Sequence, residues 1–308
     1  MSDQSGELLN QAKSGSVQAL ARLLTRLERE GTECFQTFPE LLQPSKLAFR
    51  IGITGPPGAG KSTLIGRLIT EFRKAGQRVA VLAVDPSSPF SKGALLGDRI
   101  RYSDHFNDPG VFIRSLGSRG SLGGLSSSAY LMVRAFDVAQ FDVVLLETVG
   151  VGQTELEIMN VADLVTVVLV PESGDSIQGM KAGLLEIADL FIVNKGDRPG
   201  AESFAHELQS SLQLDPRGPS KAVEVMLTTA TTGAGIDAYL KRVFTEMAAN
   251  GEKSWRGRRH SLQRLRSEAS ALLTTKALRA VQKRTLQIRN VSDFAALIQA
   301  EQMFQNEI

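Results

Sequence analysis

The sequence predicts an α/β fold with a doubly wound, mostly parallel sheet, and two observations support this prediction. From residue 50 onward, short β-branched segments alternate with stretches of helical periodicity. These segments are continuously apolar, as expected when helices cover both faces of a parallel sheet. Functional loops in such a fold follow the carboxyl ends of the strands. The predicted strands are residues 50–54, 78–84, 142–147, 164–170, 190–194 and 223–228.

Helical extensions flank the predicted sheet domain, which spans residues 46–250. The N-terminal extension, residues 1–45, contains an amphipathic helix over residues 16–30. Its apolar residues recur at helical spacing and therefore share one face that packs on another element. These residues are Val17, Leu20, Leu24 and Leu27.

The C-terminal extension, residues 251–308, is predicted to form two helices. Residues 251–290 contain eleven Lys and Arg against two acidic residues, although the whole chain has a formal net charge of only +2. Trp255 is the only Phe, Trp or Tyr in this basic stretch, and this scarcity of aromatic residues favours a solvated helix or a protein contact over nucleic acid. We therefore expect an arm for dimerisation or partner docking, and no nucleic-acid partner.

Cysteine usage and hydropathy indicate the compartment. Cys34 is the only cysteine, so no internal disulfide forms and a reducing compartment is expected. No apolar run approaches the length of a membrane span, and Asp3 and Glu7 precede the first lysine, unlike a secretory leader. We expect a cytoplasmic protein without a membrane partner.

A phosphate-binding motif follows the first predicted strand. Residues 50–63, RIGITGPPGAGKST, fit the pattern G-x-x-x-x-G-K-[ST]. The glycines let the backbone N–H groups face inward, and the following helix adds its positive end. Lys61 can then reach the terminal phosphates, and the Ser62 hydroxyl is placed to ligate Mg²⁺. The predicted nucleotide-binding residues here are Gly55, Pro56, Pro57, Gly58, Ala59, Gly60, Lys61, Ser62 and Thr63.

A second motif, N-K-x-D, follows the predicted strand 190–194 and indicates the base. The carboxylate of Asp197 can accept hydrogen bonds from guanine N1–H and its exocyclic amine, whereas adenine would leave it unpaired. Together with Asn194 and Lys195, this residue favours GTP over ATP. Thr229 and Ala230 end the next strand and either close the pocket through backbone donors or form a simple turn.

Acidic residues that end predicted strands are candidates for the metal and the attacking water. Asp85 and Glu147 both emerge at the strand ends that face the phosphates. Because Mg²⁺ takes only one or two carboxylates and keeps several waters, at least one of them is expected to act through water. Asp98 is a third candidate, which a loop would bring in, and its alternative role is that of a solvated loop acid.

Two glycine-rich segments have the character of nucleotide switches. In ETVGVGQ, residues 147–153, the N–H of Gly150 is the best candidate to bond the γ-phosphate and to be released on hydrolysis. The alternative is that this glycine only serves a turn. The segment PESGDSIQGMKAG, residues 171–183, is either an ordinary loop or a further element that reports the nucleotide state. Without an assured arginine finger, slow unaided hydrolysis is expected.

Taken together, these motifs resemble the MeaB/ArgK family of G proteins, which are chaperones of adenosylcobalamin-dependent acyl-CoA mutases. The resemblance covers roughly residues 16–250 and is carried by GPPGAGKST, AVDPSSPFSKGALLGDR, ETVGVGQTE, PESGDSIQGMKAG and NKGD. It implies a GTPase that binds GTP, GDP and Mg²⁺, associates with methylmalonyl-CoA mutase or a relative, and gates cofactor delivery. It also implies homodimerisation, metal or catalytic positions for Asp85, Asp98 and Glu147, and a switch position for Lys181.

Other functional classes fit the sequence less well. A nickel-insertion GTPase would carry His-rich or paired Cys sites, but His105, His206 and His260 are scattered. A protein-targeting GTPase would need a Met-rich substrate domain, and the seven methionines form no such cluster. A nucleotide-dependent kinase of a transport protein is the remaining alternative, which the guanine motif disfavours.

Overall fold

A seven-stranded sheet, parallel throughout, forms the centre of the computed structural model. The structure describes residues 2–85, 102–117, 127–148, 158–173, 187–214, 223–249 and 267–273. The strands are β1 (Phe49–Thr54), β2 (Val79–Asp85), β3 (Val111–Gly117), β4 (Val143–Thr148), β5 (Leu164–Leu169), β6 (Leu190–Val193) and β7 (Glu224–Leu227). Their spatial order is β3-β2-β4-β1-β5-β6-β7. The predicted α/β fold is thus confirmed.

The sequence prediction missed one strand, β3. Its sequence, VFIRSLG, is interrupted by Arg114 and Ser115, and both side chains are half-buried. Among the described residues, this strand lies at the sheet edge and pairs only with β2, so it need not be as apolar as the central strands. Arg114 there donates to the carboxylate of Glu28 at 3.0 Å.

Helices cover both faces of the sheet. On one face, α1 (Ser2–Lys13), α2 (Val17–Glu30), the short α3 (Cys34–Thr37) and α5 (Ser127–Val138) pack over β2, β4 and β5. On the same face, α6 (Ala201–Leu214) packs beside β5 and β6, because its Phe204 and Leu208 share a cluster with Val167, Leu169 and Phe191. On the other face, α4 (Lys61–Lys74) and α7 (Ile236–Ala249) pack over β1, β2 and β4. No helix in the described ranges is long and apolar enough to cross a membrane.

The predicted N-terminal helix is present, with one correction to its buried face. Ser16 caps α2 by accepting from the Ala19 N–H at 3.2 Å. Val17 directly follows this cap and is 48% exposed, whereas Leu23, which the prediction left out, is fully buried. Leu20, Leu24 and Leu27 are buried as predicted, in the same cluster as sheet residues of β2 and β4.

A buried ion pair lies at the amino-terminal edge of the sheet. Arg50 of β1 donates to the Asp137 carboxylate at 2.6 Å, and the other oxygen of Asp137 accepts from the Ala48 N–H at 2.9 Å. The Arg50 N–H also donates to Asp163. These bonds hold the start of β1 against α5, at the edge opposite to the loops discussed below.

Part of the predicted C-terminal arm packs against the sheet domain. Residues 267–273 are helical, and Glu268 is only 5% exposed. Its carboxylate accepts from two guanidinium nitrogens of Arg134 in α5, and this arginine also donates to the carbonyl oxygens of Leu41 and Leu42. The remainder of the predicted arm, residues 251–266 and 274–308, lies outside the described residues.

Candidate nucleotide-binding site

The carboxyl ends of β1 and β4 lie side by side and bring two sequence motifs together. Ile53 of β1 is in register with Glu147 of β4. One residue further along, the Thr148 hydroxyl donates to the Thr54 hydroxyl at 2.9 Å, and both side chains are buried. The loop that begins at residue 55 and the segment that begins at residue 149 therefore start from directly connected strand ends.

The loop over residues 55–60 requires glycine at its two ends. Gly55 has a φ of 137°, and a Cβ there would lie 2.1 Å from the carbonyl oxygen of Val168. Gly60 has a φ of 86° and caps α4, and its Cβ would lie 2.4 Å from Nδ2 of Asn194. Only glycine fits both positions, so the loop curls tightly into the positive amino-terminal end of α4.

The side chain of Lys61 folds back over this loop. Its Nζ donates to the carbonyl oxygens of Gly55 at 2.7 Å and Pro56 at 3.0 Å, and the residue is 7% exposed. The ammonium thus lies against the loop backbone, and its contact with phosphates stays a prediction. In the same stretch Ala59 is buried, while Pro57, Gly58 and Thr63 are exposed.

Ser62 and Glu147 are in direct contact. The Ser62 hydroxyl donates to Glu147 Oε1 at 2.7 Å, across 85 residues of sequence. The second carboxylate oxygen, Oε2, accepts from the Tyr102 hydroxyl at 2.6 Å. Glu147 is 2% exposed, and Tyr102 is 1% exposed. The sequence motifs predict a serine and carboxylates at this edge, but no motif indicates Tyr102.

The chemistry of Ser62 and Glu147 fits Mg²⁺. A hydroxyl and a carboxylate are hard oxygen donors, which Mg²⁺ prefers, and Mg²⁺ needs only one or two protein ligands beside water and phosphate oxygens. Asp85 ends β2 in register with Gly117, and its side chain lies outside what the structure describes. No group of three or more His, Cys, Asp or Glu in the described residues is arranged to hold a metal ion.

Asn194 connects three segments around the loop. It is 2% exposed, and its Nδ2 donates to the Ala59 carbonyl at 2.9 Å. Its Oδ1 accepts from the Ala230 N–H at 3.0 Å and from the Thr228 hydroxyl at 3.3 Å. The side chain therefore braces the phosphate-binding loop against the end of β6 and the segment after β7.

The rest of the N-K-x-D motif is more open to solvent. Lys195 is half-buried with a φ of 57°, and Asp197 is exposed, so its carboxylate is accessible to a base. Thr229 and Ala230 are buried. Their N–H groups donate to the carbonyl of Ala234 and to Oδ1 of Asn194, so both predicted backbone donors have partners within the protein.

An exposed ion pair joins this motif to the start of the segment 171–183. Arg198 donates to the carboxylate of Glu172. The hydrogen bond from Arg198 lowers the pKa of Glu172 below its ordinary value.

Three other predicted site residues, Asp98, Gly150 and Lys181, lie outside the described residues.

The fold and this site define a phosphate-loop nucleotide-binding protein with the guanine motif beside the loop. The chain matches the family model described as "Methylmalonyl Co-A mutase-associated GTPase MeaB" over residues 20–282. It therefore belongs to the MeaB family of GTPases, and it is a GTP-hydrolysing enzyme that binds guanine nucleotides.

Individual relatives agree with this assignment. A putative GTPase of Pyrococcus horikoshii is 45% identical over 240 residues, which are 77% of this chain and 76% of the relative. GTPase ArgK of Escherichia coli is 33% identical over 273 residues, 85% of this chain and 82% of the relative. The mouse protein named methylmalonic aciduria type A homolog, mitochondrial, is 36% identical over 220 residues, 68% of this chain and 52% of the relative.

One solved structure extends the comparison to nearly the whole chain. The crystal structure of a LAO/AO transport system kinase superimposes with a TM-score of 0.67 and 24% sequence identity, and covers 97% of this chain and 98% of that one. This similarity shows the fold alone.

Proposed function

We propose that this GTPase is a chaperone of an adenosylcobalamin-dependent acyl-CoA mutase of the methylmalonyl-CoA mutase type. In this role it gates loading of the cofactor and protects or reactivates the mutase. The observation that carries the proposal is the match to a family described as mutase-associated, over residues 20–282. The mouse relative's name, which refers to methylmalonic aciduria, supports the same assignment.

In this proposal, the bound nucleotide replaces hydrogen bonds that the site residues make within the protein. Lys61 donates to two loop carbonyls, and an anionic phosphate is a stronger partner for an ammonium than a neutral carbonyl is. The N–H groups at the start of α4 and of the loop add further donors for phosphate. Asp197, which is exposed, is the proposed acceptor for guanine N1–H and the exocyclic amine.

Ser62 and Glu147 would hold Mg²⁺, with Ser62 as a direct ligand and Glu147 acting directly or through water. When bound, the ion neutralises phosphate charge that develops during hydrolysis. Because Ser62 Oγ donates to Glu147 in this structure, the hydroxyl would have to leave the carboxylate to ligate the ion. Asp85, Asp98, Gly150 and Lys181 are proposed to complete the metal site and the switches.

The switch segments would transmit the nucleotide state to the mutase. Residues 149–157 begin directly after Thr148, whose hydroxyl contacts Thr54 at the root of the phosphate-binding loop. Residues 171–183 begin beside the guanine motif through the pair of Glu172 and Arg198. Loss of the γ-phosphate would thus change the contacts at the start of both segments, and we expect the protein to act as a slow nucleotide-dependent switch rather than as a high-turnover enzyme.

The proposal is tested by binding and rate measurements with cobalamin-dependent mutases from the source organism. The expected result is co-purification that differs between GTP and GDP, faster GTP hydrolysis with the mutase, and nucleotide-dependent transfer of adenosylcobalamin to the apo-mutase. Lys61→Ala, which loses its phosphate contact, is the control that should abolish the nucleotide dependence. Equal hydrolysis rates with and without every such mutase would refute the partner assignment.

We further propose that the protein acts as a cytoplasmic homodimer and that residues 251–308 contribute to dimerisation or partner docking. The basic character of residues 251–290 and the docking of Glu268 on Arg134 support a structural role for this arm. Light scattering of the full chain after size exclusion should give twice the monomer mass. No specific observation favours the metal-insertion or transport-kinase alternatives, and neither is proposed.

A further inference from the structure

The buried carboxylate of Glu147 is held from two sides by hydroxyl groups. Ser62 Oγ lies 2.7 Å from Oε1, and the Tyr102 hydroxyl lies 2.6 Å from Oε2. A buried carboxylate is costly unless charge-assisted hydrogen bonds satisfy its oxygens. In the proposed function Ser62 turns to the metal, so the bond from Tyr102 is the one that would persist.

Tyr102 is presented to Glu147 by a segment that is anchored elsewhere. His105 Nε2 lies 3.1 Å from the carbonyl oxygen of Gly66 in α4. Asp108 accepts from Arg73 Nε, also in α4, at 2.9 Å, and from the Gly110 N–H at 2.8 Å. The segment 102–110 is therefore tied to the same helix that begins with Lys61 and Ser62.

Glycine at position 110 makes this anchoring possible. A Cβ at Gly110 would lie 2.1 Å from the guanidinium carbon of Arg73, so any side chain there would displace the arginine. The ring of Tyr102 is itself packed in the apolar cluster that includes Leu64, Ile65 and Leu68 of α4. The position of the phenol thus depends on packing and on bonds outside the nucleotide site.

We propose that Tyr102 is a positioning residue for the metal site and acts through Glu147. Its hydroxyl fixes Oε2 so that Oε1 stays directed at Ser62 when the serine exchanges its hydrogen bond for the metal ion. Outer partners of this kind orient the groups around a metal, and their removal typically costs roughly 10- to 100-fold in metal affinity or activity. The inference rests on the role that the proposed function gives to Glu147, but not on any mutase.

Tyr102→Phe tests the inference because it removes only the hydroxyl. Tyr239→Phe is the matched control: Tyr239 is also fully buried, and its hydroxyl is paired with the Thr166 hydroxyl at 2.9 Å rather than with Ser62 or Glu147. Binding of fluorescent GDP by the full chain is measured first in EDTA and then as Mg²⁺ is added. GTP hydrolysis is measured at saturating GTP, and thermal unfolding is followed without nucleotide.

For Tyr102→Phe we expect unchanged GDP affinity in EDTA, a Mg²⁺ requirement raised by about tenfold or more, and a comparable fall in kcat. Tyr239→Phe should leave the GDP affinity in EDTA, the Mg²⁺ requirement and kcat unchanged. In the background of Glu147→Ala, adding Tyr102→Phe should have no further effect on the Mg²⁺ requirement, because residues that act through one another are not additive.

Three outcomes would overturn the inference. If Tyr102→Phe weakens GDP binding in EDTA as much as with Mg²⁺, the hydroxyl only maintains the fold. If Glu147→Ala raises the Mg²⁺ requirement and Tyr102→Phe does not, Glu147 keeps its role and Tyr102 has none. If neither variant raises it, Glu147 is misassigned and the inference falls with it. None of these results bears on the mutase, which is absent from the assay.

Discussion

Replacing Asn194 by alanine should destabilise the protein even without nucleotide. The substitution leaves the Ala59 carbonyl, the Ala230 N–H and the Thr228 hydroxyl without this partner in a buried setting. At roughly 1 kcal/mol for each hydrogen bond, the loss is about 3 kcal/mol. For a domain of this size class, about 2–4 °C per kcal/mol gives a Tm lower by about 6–12 °C.

Thermal unfolding followed by circular dichroism, without nucleotide, measures this effect. Asp197→Asn is the matched control, since it changes an exposed side chain of the same motif and should leave the Tm unchanged. Asn194→Ala should also weaken GDP binding, because Ala59 lies in the phosphate-binding loop and loses its brace. A Tm within about 2 °C of the wild type would refute the additive reasoning, as would an equal fall in Asp197→Asn.

Three other predictions concern single residues. Asp197→Asn should lower the preference for guanine over xanthine nucleotides by up to roughly 10⁴-fold in competition binding, and unchanged GTP preference would remove Asp197 from the base site. Lys61→Ala should abolish nucleotide binding or hydrolysis while circular dichroism shows a folded protein, and retained turnover would contradict its phosphate role. The hydrogen bond from Arg73 lowers the pKa of Asp108 below its ordinary 3.8, so its contribution to stability is present above that pH and is lost as the pH falls through the lower, folded-state value. Asp108→Asn should therefore lower the Tm at pH 7 and approach the wild type in strong acid, whereas a constant difference across the pH range would exclude this linkage.

Most of the sheet could be predicted because its central strands are buried on both faces. Such strands are apolar at most positions instead of at alternate ones, and this pattern is visible without knowledge of their neighbours. β3 has Arg114 and Ser115 in its middle and pairs on one side only, so the same criterion fails there. Similarly, periodicity identified the buried face of α2, but it could not show that Val17, next to the cap, lies beyond the packing surface.

The site could be predicted only where a motif or a strand end fixes the position of a residue. Ser62 belongs to a motif and Glu147 ends a strand, so their approach follows from the topology of a parallel sheet. Tyr102 lies in an irregular segment 45 residues before its partner, and no local pattern specifies that contact. For Asn194 the motif predicts a contact with the ligand, which stays a prediction, and the three hydrogen bonds of its side chain to Ala59, Thr228 and Ala230 are within the protein.

The way in which α2 packs has a practical consequence for dissecting this protein. Leu20, Leu23, Leu24 and Leu27 belong to the same apolar cluster as Ala80, Leu82 and Val144 of the sheet. Deleting residues 1–45 would therefore expose part of one sheet face, and of the helix Ser127–Val138 that packs on it, to water rather than remove a separate appendage. We expect such a truncated chain to aggregate during expression, so functional dissection should rely on point substitutions within the full-length chain.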